Sequence, residues 1–210
     1  MKKRSIFILF TAVMFIGSCS GIQNKFLKRN LFCIKGDLVK SDSGRSEKRA
    51  GLLIRQLDIS PEFESNFFVY RISSGRYTFD YYNKFMVAPA RMITDAIGET
   101  LYTSPFFKSV PAYEPQDIKY QLWGKIIDIY GDIQDKNHPK AVITLRLILE
   151  KREGTGFVQI INKIYPASVP LTRFDAKNLI TAWDICLRHI VSDFYKDLPF
   201  KCSGSGSQMK

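Results

Sequence analysis

Residues 141–165 read AVITLRLILEKREGTGFVQIINKIY. Ala141 to Lys151 is an apolar, β-branched run. Glu153-Gly154-Thr155-Gly156 breaks it, and Phe157 to Tyr165 resumes it. Two β-prone runs around a short Gly-containing turn are the signature of a hairpin. Upstream, Tyr120 to Tyr130 (YQLWGKIIDIY) is a third strand, with Gly124 a candidate bulge, and Gly131 to Pro139 a turn. Downstream, residues 166–173 read as a Pro-bearing connection. Leu179, Trp183, Leu187, Ile190, Phe194 and Leu198 then recur every three or four residues. Ile180 and Val191 widen this stripe, which is the apolar face of a helix. Asp175 is positioned to cap its first turn.

The amino-terminal half repeats the mixture. Leu31 to Ile34 is a short apolar run. Gly51 to Ile59 reads as a strand stopped by Ser60-Pro61, and residues 36–49 as an exposed polar loop between the two. Asn66 to Ile72 and Arg76 to Asp80 flank Ser73-Ser74-Gly75 as a second hairpin. Pro89 opens a helix where a missing N–H costs nothing. Met92, Ile93, Ala96, Ile97, Thr100 and Leu101 give that helix one apolar face, and Ser104-Pro105 ends it. Phe106 to Val110 is a short extended segment. Strands and helices in this order predict an α+β fold: a single domain with an antiparallel or mixed β-sheet and two main helices packed on one face.

The first nineteen residues carry a different message. Met1-Lys2-Lys3-Arg4 is a charged start, Ile6 to Ile16 an apolar run, and Ile16-Gly17-Ser18-Cys19 a close match to a lipobox. The apolar run falls short of the roughly 20 residues a membrane span needs. Residues 1–18 are therefore expected to be a lipoprotein signal peptide, with Ile16, Gly17 and Ser18 recognised by the signal peptidase. Cys19 is expected to carry a covalent diacylglycerol, because the thioether to lipid forms on a thiol. Two or more acyl chains give stable anchorage. Ser20 at the next position, in place of Asp, directs the expectation to the periplasmic face of the outer membrane. Residues 19–30 form a lipidated tether, 31–200 the folded domain, and 201–210 a Gly/Ser-rich tail expected to be disordered.

The net charge is +11, of which Lys2, Lys3 and Arg4 supply three, leaving +8 on the remainder. A basic exported domain fits anionic lipid or an acidic partner, and equally a surface that is simply solvated by scattered charge; the address argues against nucleic acid. With Cys19 acylated, Cys33, Cys186 and Cys202 remain; three is odd, and their pairing is left open. No Cys/His ligand spacing, Gly-x-Ser-x-Gly elbow or Gly-x-x-x-x-Gly-Lys-Ser/Thr loop occurs in the chain. Neither a catalytic set nor a metal site can be nominated, and no cofactor is expected beyond the acyl group. Asp128, Asp132 and Asp135 read as a solvated turn, and His138 and His189 as structural. What stands out is the aromatic stretch from Phe67 to Phe85, interleaved with Arg71, Arg76 and Lys84. Hairpin alternation sends one set of these rings inward, and core packing accounts for most of them. With Tyr70, Tyr77 and Tyr81 in the outward set, the other face is an aromatic and basic surface, and Tyr70, Tyr77, Tyr81 and Tyr82 are its candidate partner-binding residues.

These elements resemble the auxiliary lipoprotein components of ABC-type transporters, a family that includes the lipoprotein of the paraquat-inducible intermembrane transport system. The resemblance rests on the lipobox, a first strand at Leu31–Lys35 and Gly51–Ile59 followed by Pro61. It continues through the Phe67–Phe79 hairpin, the Tyr82–Ile93 segment opening a helix at Pro89, and Leu101–Phe107. It spans most of residues 31–198. Two details depart from the family's pattern: Phe85-Met86-Val87 separates the aromatic residues from the proline, and Ile54-Arg55 stands in the second strand. The resemblance implies a non-catalytic docking subunit at the outer membrane. Its implied partners are an MCE-domain protein that bridges the periplasm and, through it, an inner-membrane permease and ATPase moving lipid. Association of the chain with itself is left open. The rival reading is a structural outer-membrane assembly lipoprotein of the lipopolysaccharide-assembly or secretin-pilot type.

Overall fold

The computed structural model describes residues 28–34 and 50–199. The strand β7 (Tyr120–Asp132) is buried along most of its length because it is paired on both edges. On one edge it runs antiparallel to β8 (Lys140–Glu153), which in turn pairs antiparallel with β9 (Gly156–Pro170). This is the meander anticipated around residues 120–165. Gly154, in a left-handed conformation, makes its second turn.

The other edge of β7 is shared by three short strands laid end to end, all parallel to it. These are β2 (Ala50–Ile54), β3 (Asp58–Ile59) and β4 (Phe67–Ser73). Beyond β4 lies β5 (Arg76–Phe85), antiparallel to it, and beyond β5 lies β1 (Asn30–Phe32), parallel. At the far side β6 (Phe107–Ser109) pairs with β2. The nine strands form one mixed sheet. Two helices, α1 (Pro89–Thr103) and α2 (Ala176–Asp197), complete an α+β single domain.

Several boundaries differ from the sequence reading, each for a physical reason. Gly51–Ile59 is two strands, because pairing with β7 slips by one residue between Ile54↔Leu122 and Asp58↔Lys125. In the gap the Leu57 N–H donates to Thr94 Oγ1 on α1 at 3.0 Å, so this backbone donor is not stranded. β9 continues through Pro166 to Pro170 instead of ending at Tyr165. It is the outermost strand of the meander, where a proline's missing N–H can face away from the ladder. Asn30, placed in the tether by sequence, already belongs to β1. The irregularity of β7 lies between Ile126 and Asp128 and not at Gly124. Gly124 is needed for close approach, since a Cβ there would collide with the Arg146 carbonyl oxygen on β8. The polar loop expected at 36–49, the expected signal peptide at 1–18, most of the expected tether at 19–30 and the tail at 201–210 lie outside the described residues.

The helices and the sheet close over a single core. Trp183 of α2 is fully buried, donates Nε1–H to the Val142 carbonyl at 3.3 Å, and meets Phe68 edge-on at 5.1 Å and Phe85 at 5.3 Å. Asp175 caps α2 as expected: its Oδ1 accepts from the Asn178 N–H at 2.8 Å. The Tyr195 hydroxyl donates to the Thr100 carbonyl at 3.3 Å, tying α2 to α1. Among the described residues, Cys33 and Cys186 are free thiols. Cys186 is buried, which pushes its thiol up to about 12 and leaves it inert at neutral pH. Asp175→Ala is expected to cost about 1 kcal/mol in urea unfolding. Gly124→Ala is expected to cost more, because the obstacle is backbone; an unshifted urea midpoint would contradict the close approach.

Candidate functional site

The aromatic stretch is the β4–β5 hairpin, turned by Gly75 in a left-handed conformation. Alternation sends its side chains to opposite faces. Register then settles which tyrosine goes where. Arg71 pairs with Tyr77 and Val69 with Phe79, so these share the face directed away from the helices. Tyr70 pairs with Thr78 and Phe68 with Asp80 on the helix side, where Phe68 packs on Phe85 at 4.7 Å and on Trp183. The expectation that Tyr70 belongs with Tyr77 and Tyr81 fails on this parity. Its ring is half-buried, edge-on to Phe174 at 5.1 Å. Burial first, then its bond to Asp80, raises the Tyr70 hydroxyl far above the ordinary phenol range.

The outward row is therefore Tyr77, Phe79 and Tyr81, all exposed, with Tyr81 at 64% the most open of the three. Phe79 is not among the candidates nominated from sequence, although its two-residue spacing from Tyr77 is a usable signal. Tyr82 is also exposed, at 56%, next to a break in the alternation. Phe68 pairs with Asp80 while Phe67 pairs with Lys84, so one step on β4 spans four residues on β5. The extra residues Tyr81, Tyr82 and Asn83 form a wide bulge.

Asp80 builds that bulge. Its Oδ1 accepts from the backbone N–H groups of Tyr82 at 2.9 Å and Asn83 at 3.1 Å. Its Oδ2 accepts from the Tyr70 hydroxyl at 2.6 Å and from Asn83 Nδ2 at 2.7 Å. Partial burial works against the Asp80 charge. The bonds from Tyr70, Asn83 and the two backbone groups outweigh it and hold the carboxyl below the usual range. Asn83 Oδ1 then accepts from Asn30 Nδ2 at 2.9 Å, fastening β1 to the same point.

Toward the hairpin tip the outer face is a packed cluster. Tyr77 lies edge-on to Tyr130 at 5.6 Å and to Phe63 at 6.0 Å, and Phe63 stacks on Tyr130 at 6.0 Å. The Arg71 guanidinium sits 4.8 Å above the Tyr130 ring and donates to Asp132 Oδ2 at 2.6 Å. Asp132 is therefore buried and paired, contrary to the solvated turn read from sequence. Burial raises its pKa, but the Arg71 bond and the Gln134 N–H prevail and lower it. Of the three carboxylates read as that turn, Asp135 is the fully exposed one, bonded to His138 Nδ1 at 2.7 Å.

At the other end, where β1 enters, the same face is aromatic and basic. Arg29 lies 5.7 Å over the Phe67 ring, and Phe67 meets Tyr81 edge-on at 5.8 Å. Leu31, 55% exposed, pairs with Lys84, and Lys84 pairs with Phe67. The surface offers rings, methylenes and cations for contact. Among the described residues, no group of three or more His, Cys, Asp or Glu is placed to hold a metal ion.

No family profile matches this chain, and no curated protein matches it in sequence. Solved structures do match it in shape. A Xanthomonas campestris protein, XCC0632, of the family DUF330, is 12% identical over 79% of this chain and 92% of its own, with a TM-score of 0.66. An uncharacterized protein is 10% identical over 81% and 98%, with a TM-score of 0.65. The hypothetical protein CT253 from Chlamydia trachomatis is 9% identical over 70% and 94%, with a TM-score of 0.53. What the chain shares with them is a fold.

Asp80 and Asp132, both held low, contribute stability that is complete above the unfolded carboxylate pKa of about 3.9 and is lost as pH falls through their folded values. Asp80→Asn is expected to be less stable than the parent at neutral pH and to lose less on acidification. Parallel urea curves for the two proteins across that window would contradict the assignment.

Proposed function

We propose that this chain is a non-catalytic, lipid-anchored accessory subunit of an ABC- and MCE-type intermembrane lipid transport system. In this reading an acylated Cys19 holds it at the periplasmic face of the outer membrane, where it docks the MCE-domain protein that spans the periplasm. The observation that carries the reading is the exposed row Tyr77, Phe79 and Tyr81, standing on a hairpin whose base is locked by Phe68, Phe85 and Trp183. Large apolar rings left in solvent on a rigid support are suited to protein contact, because aromatic anchors contribute most when little has to be ordered on binding. The tip end, with Tyr77 and Phe79, is the side allotted to the MCE partner. The lipobox at Ile16–Cys19 supports the address.

In a two-membraned bacterium the full chain is expected to incorporate a labelled acyl chain and fractionate with the outer membrane, and Cys19→Ser to do neither. Labelling that survives Cys19→Ser would sink the anchor. Tyr77→Ser with Phe79→Ser is expected to reduce recovery of the MCE-domain protein about fivefold or more, the effect of losing over 1 kcal/mol at a contact. Full recovery by a folded double variant would remove the tip from the docking site.

A further inference from the structure

The end of the outer face where β1 begins has a feature the tip lacks. It is the place at which the described chain arrives from Cys19. Lys28 and Arg29 are exposed, and Arg29 already touches Phe67. Nine residue steps separate Lys28 from Cys19, a reach of about 30 Å at full extension. A lipid on Cys19 therefore keeps this corner of the domain within that distance of a leaflet, whatever path the connection takes.

We infer that this corner rests on an anionic lipid headgroup surface through Arg29, Leu31, Phe67, Tyr81 and Lys84. The orientation rests on the anchored reading above, and the surface chemistry stands on the residues themselves. Three observations select lipid as the occupant. The first is the short connection to Cys19. The second is composition: Tyr81 and Leu31 are more than half exposed beside the cations Lys28, Arg29 and Lys84, the mixture that suits a membrane interface, where rings sit at headgroup level and cations meet phosphate. The third is sign. Asp80, the one carboxylate in β5, is on the opposite face with both oxygens engaged by four donors, so it does not neutralise the patch. Contact here leaves Tyr77 and Phe79 free at the tip, so that one hairpin lies on lipid at its base and presents its turn to a protein.

The buried core of the described residues lies between Ile34 and Leu198, so a chain of residues 19–210 keeps the whole of it. Carrying Cys19→Ser, that chain is expected to float with phosphatidylcholine vesicles containing phosphatidylglycerol, to float far less with phosphatidylcholine alone, and to detach as salt rises. Arg29→Gln and Lys84→Gln are each expected to weaken flotation about fivefold, the worth of one cation near an anionic surface. Leu31→Ser with Tyr81→Ser is expected to weaken what remains at raised salt. Lys108→Gln with Lys119→Gln removes two exposed charges near the opposite end of the strand order and is expected to change nothing. Equal flotation by the parent and the Arg29/Lys84 double variant, or an equal loss in the Lys108/Lys119 control, overturns the inference. Acyl labelling of the full chain reads the anchor separately. A full chain that takes up no acyl label overturns the anchored reading, while the flotation series still decides the patch.

Discussion

The two halves of the sheet meet on β7, which carries the carboxy-terminal meander on one edge and the amino-terminal strands on the other. A strand in that position is shielded on both sides, which is why Leu122, Ile126 and Ile129 are almost wholly buried. Its β8 edge is one long ladder, interrupted once between Ile126 and Asp128. Its other edge is divided among three short strands, and that division lets the sheet fork. β2 and β6 go one way, and β4, β5 and β1 the other. The exposed hairpin exists because β4 is held at the far end of β7 by only a short stretch of pairing, Tyr70↔Gly131 and Arg71↔Asp132. Arg71 strengthens that stretch, with its guanidinium on Tyr130 and its charge on Asp132.

The hairpin is thus fastened by two different kinds of force. On the helix side Phe68, Phe85 and Trp183 exclude water, and the contribution scales with apolar area removed from solvent. The second fastening is directional and polar: Asp80 gathers four donors, and Arg71 bridges two strands. Removing one partner from such a network leaves charge without its bonds, so the polar fastening is the more sensitive to pH and substitution. The exposed row between these two fastenings costs the fold little and is kept rigid by both.

The periodic features are legible in spacing alone. The meander at 120–165, the hairpin around Ser73-Ser74-Gly75, both helices and the Asp175 cap all follow from it. What spacing does not reveal is set by partners distant in sequence or by side-chain bonds without a period. The split of β2 from β3 depends on Thr94, 37 residues away from Leu57. The run of β9 through Pro166 depends on its being outermost. The burial of Asp132 depends on Arg71, 61 residues earlier. Tyr70 departs from the face expected of it because the turn sets Ser73 opposite Arg76 and the register then slips by one residue between Ser73 and Arg71, which puts Arg71 opposite Tyr77 and turns Tyr70 to the other face. The bulge that exposes Tyr82 is an Asp80 device, and nothing in hydrophobic alternation announces it.

The division of one β7 edge among three strands also sets an order in time. β2, β3 and β4 find their partners on β7 between 61 and 68 residues downstream, so during synthesis they emerge with nothing on β7 to pair with. The meander of β7, β8 and β9 closes through short turns and is the faster unit to form. The first half of this protein therefore waits on the second, with its aromatic hairpin unsupported until β7 arrives. That interval is when the chain is most exposed to aggregation and to proteases.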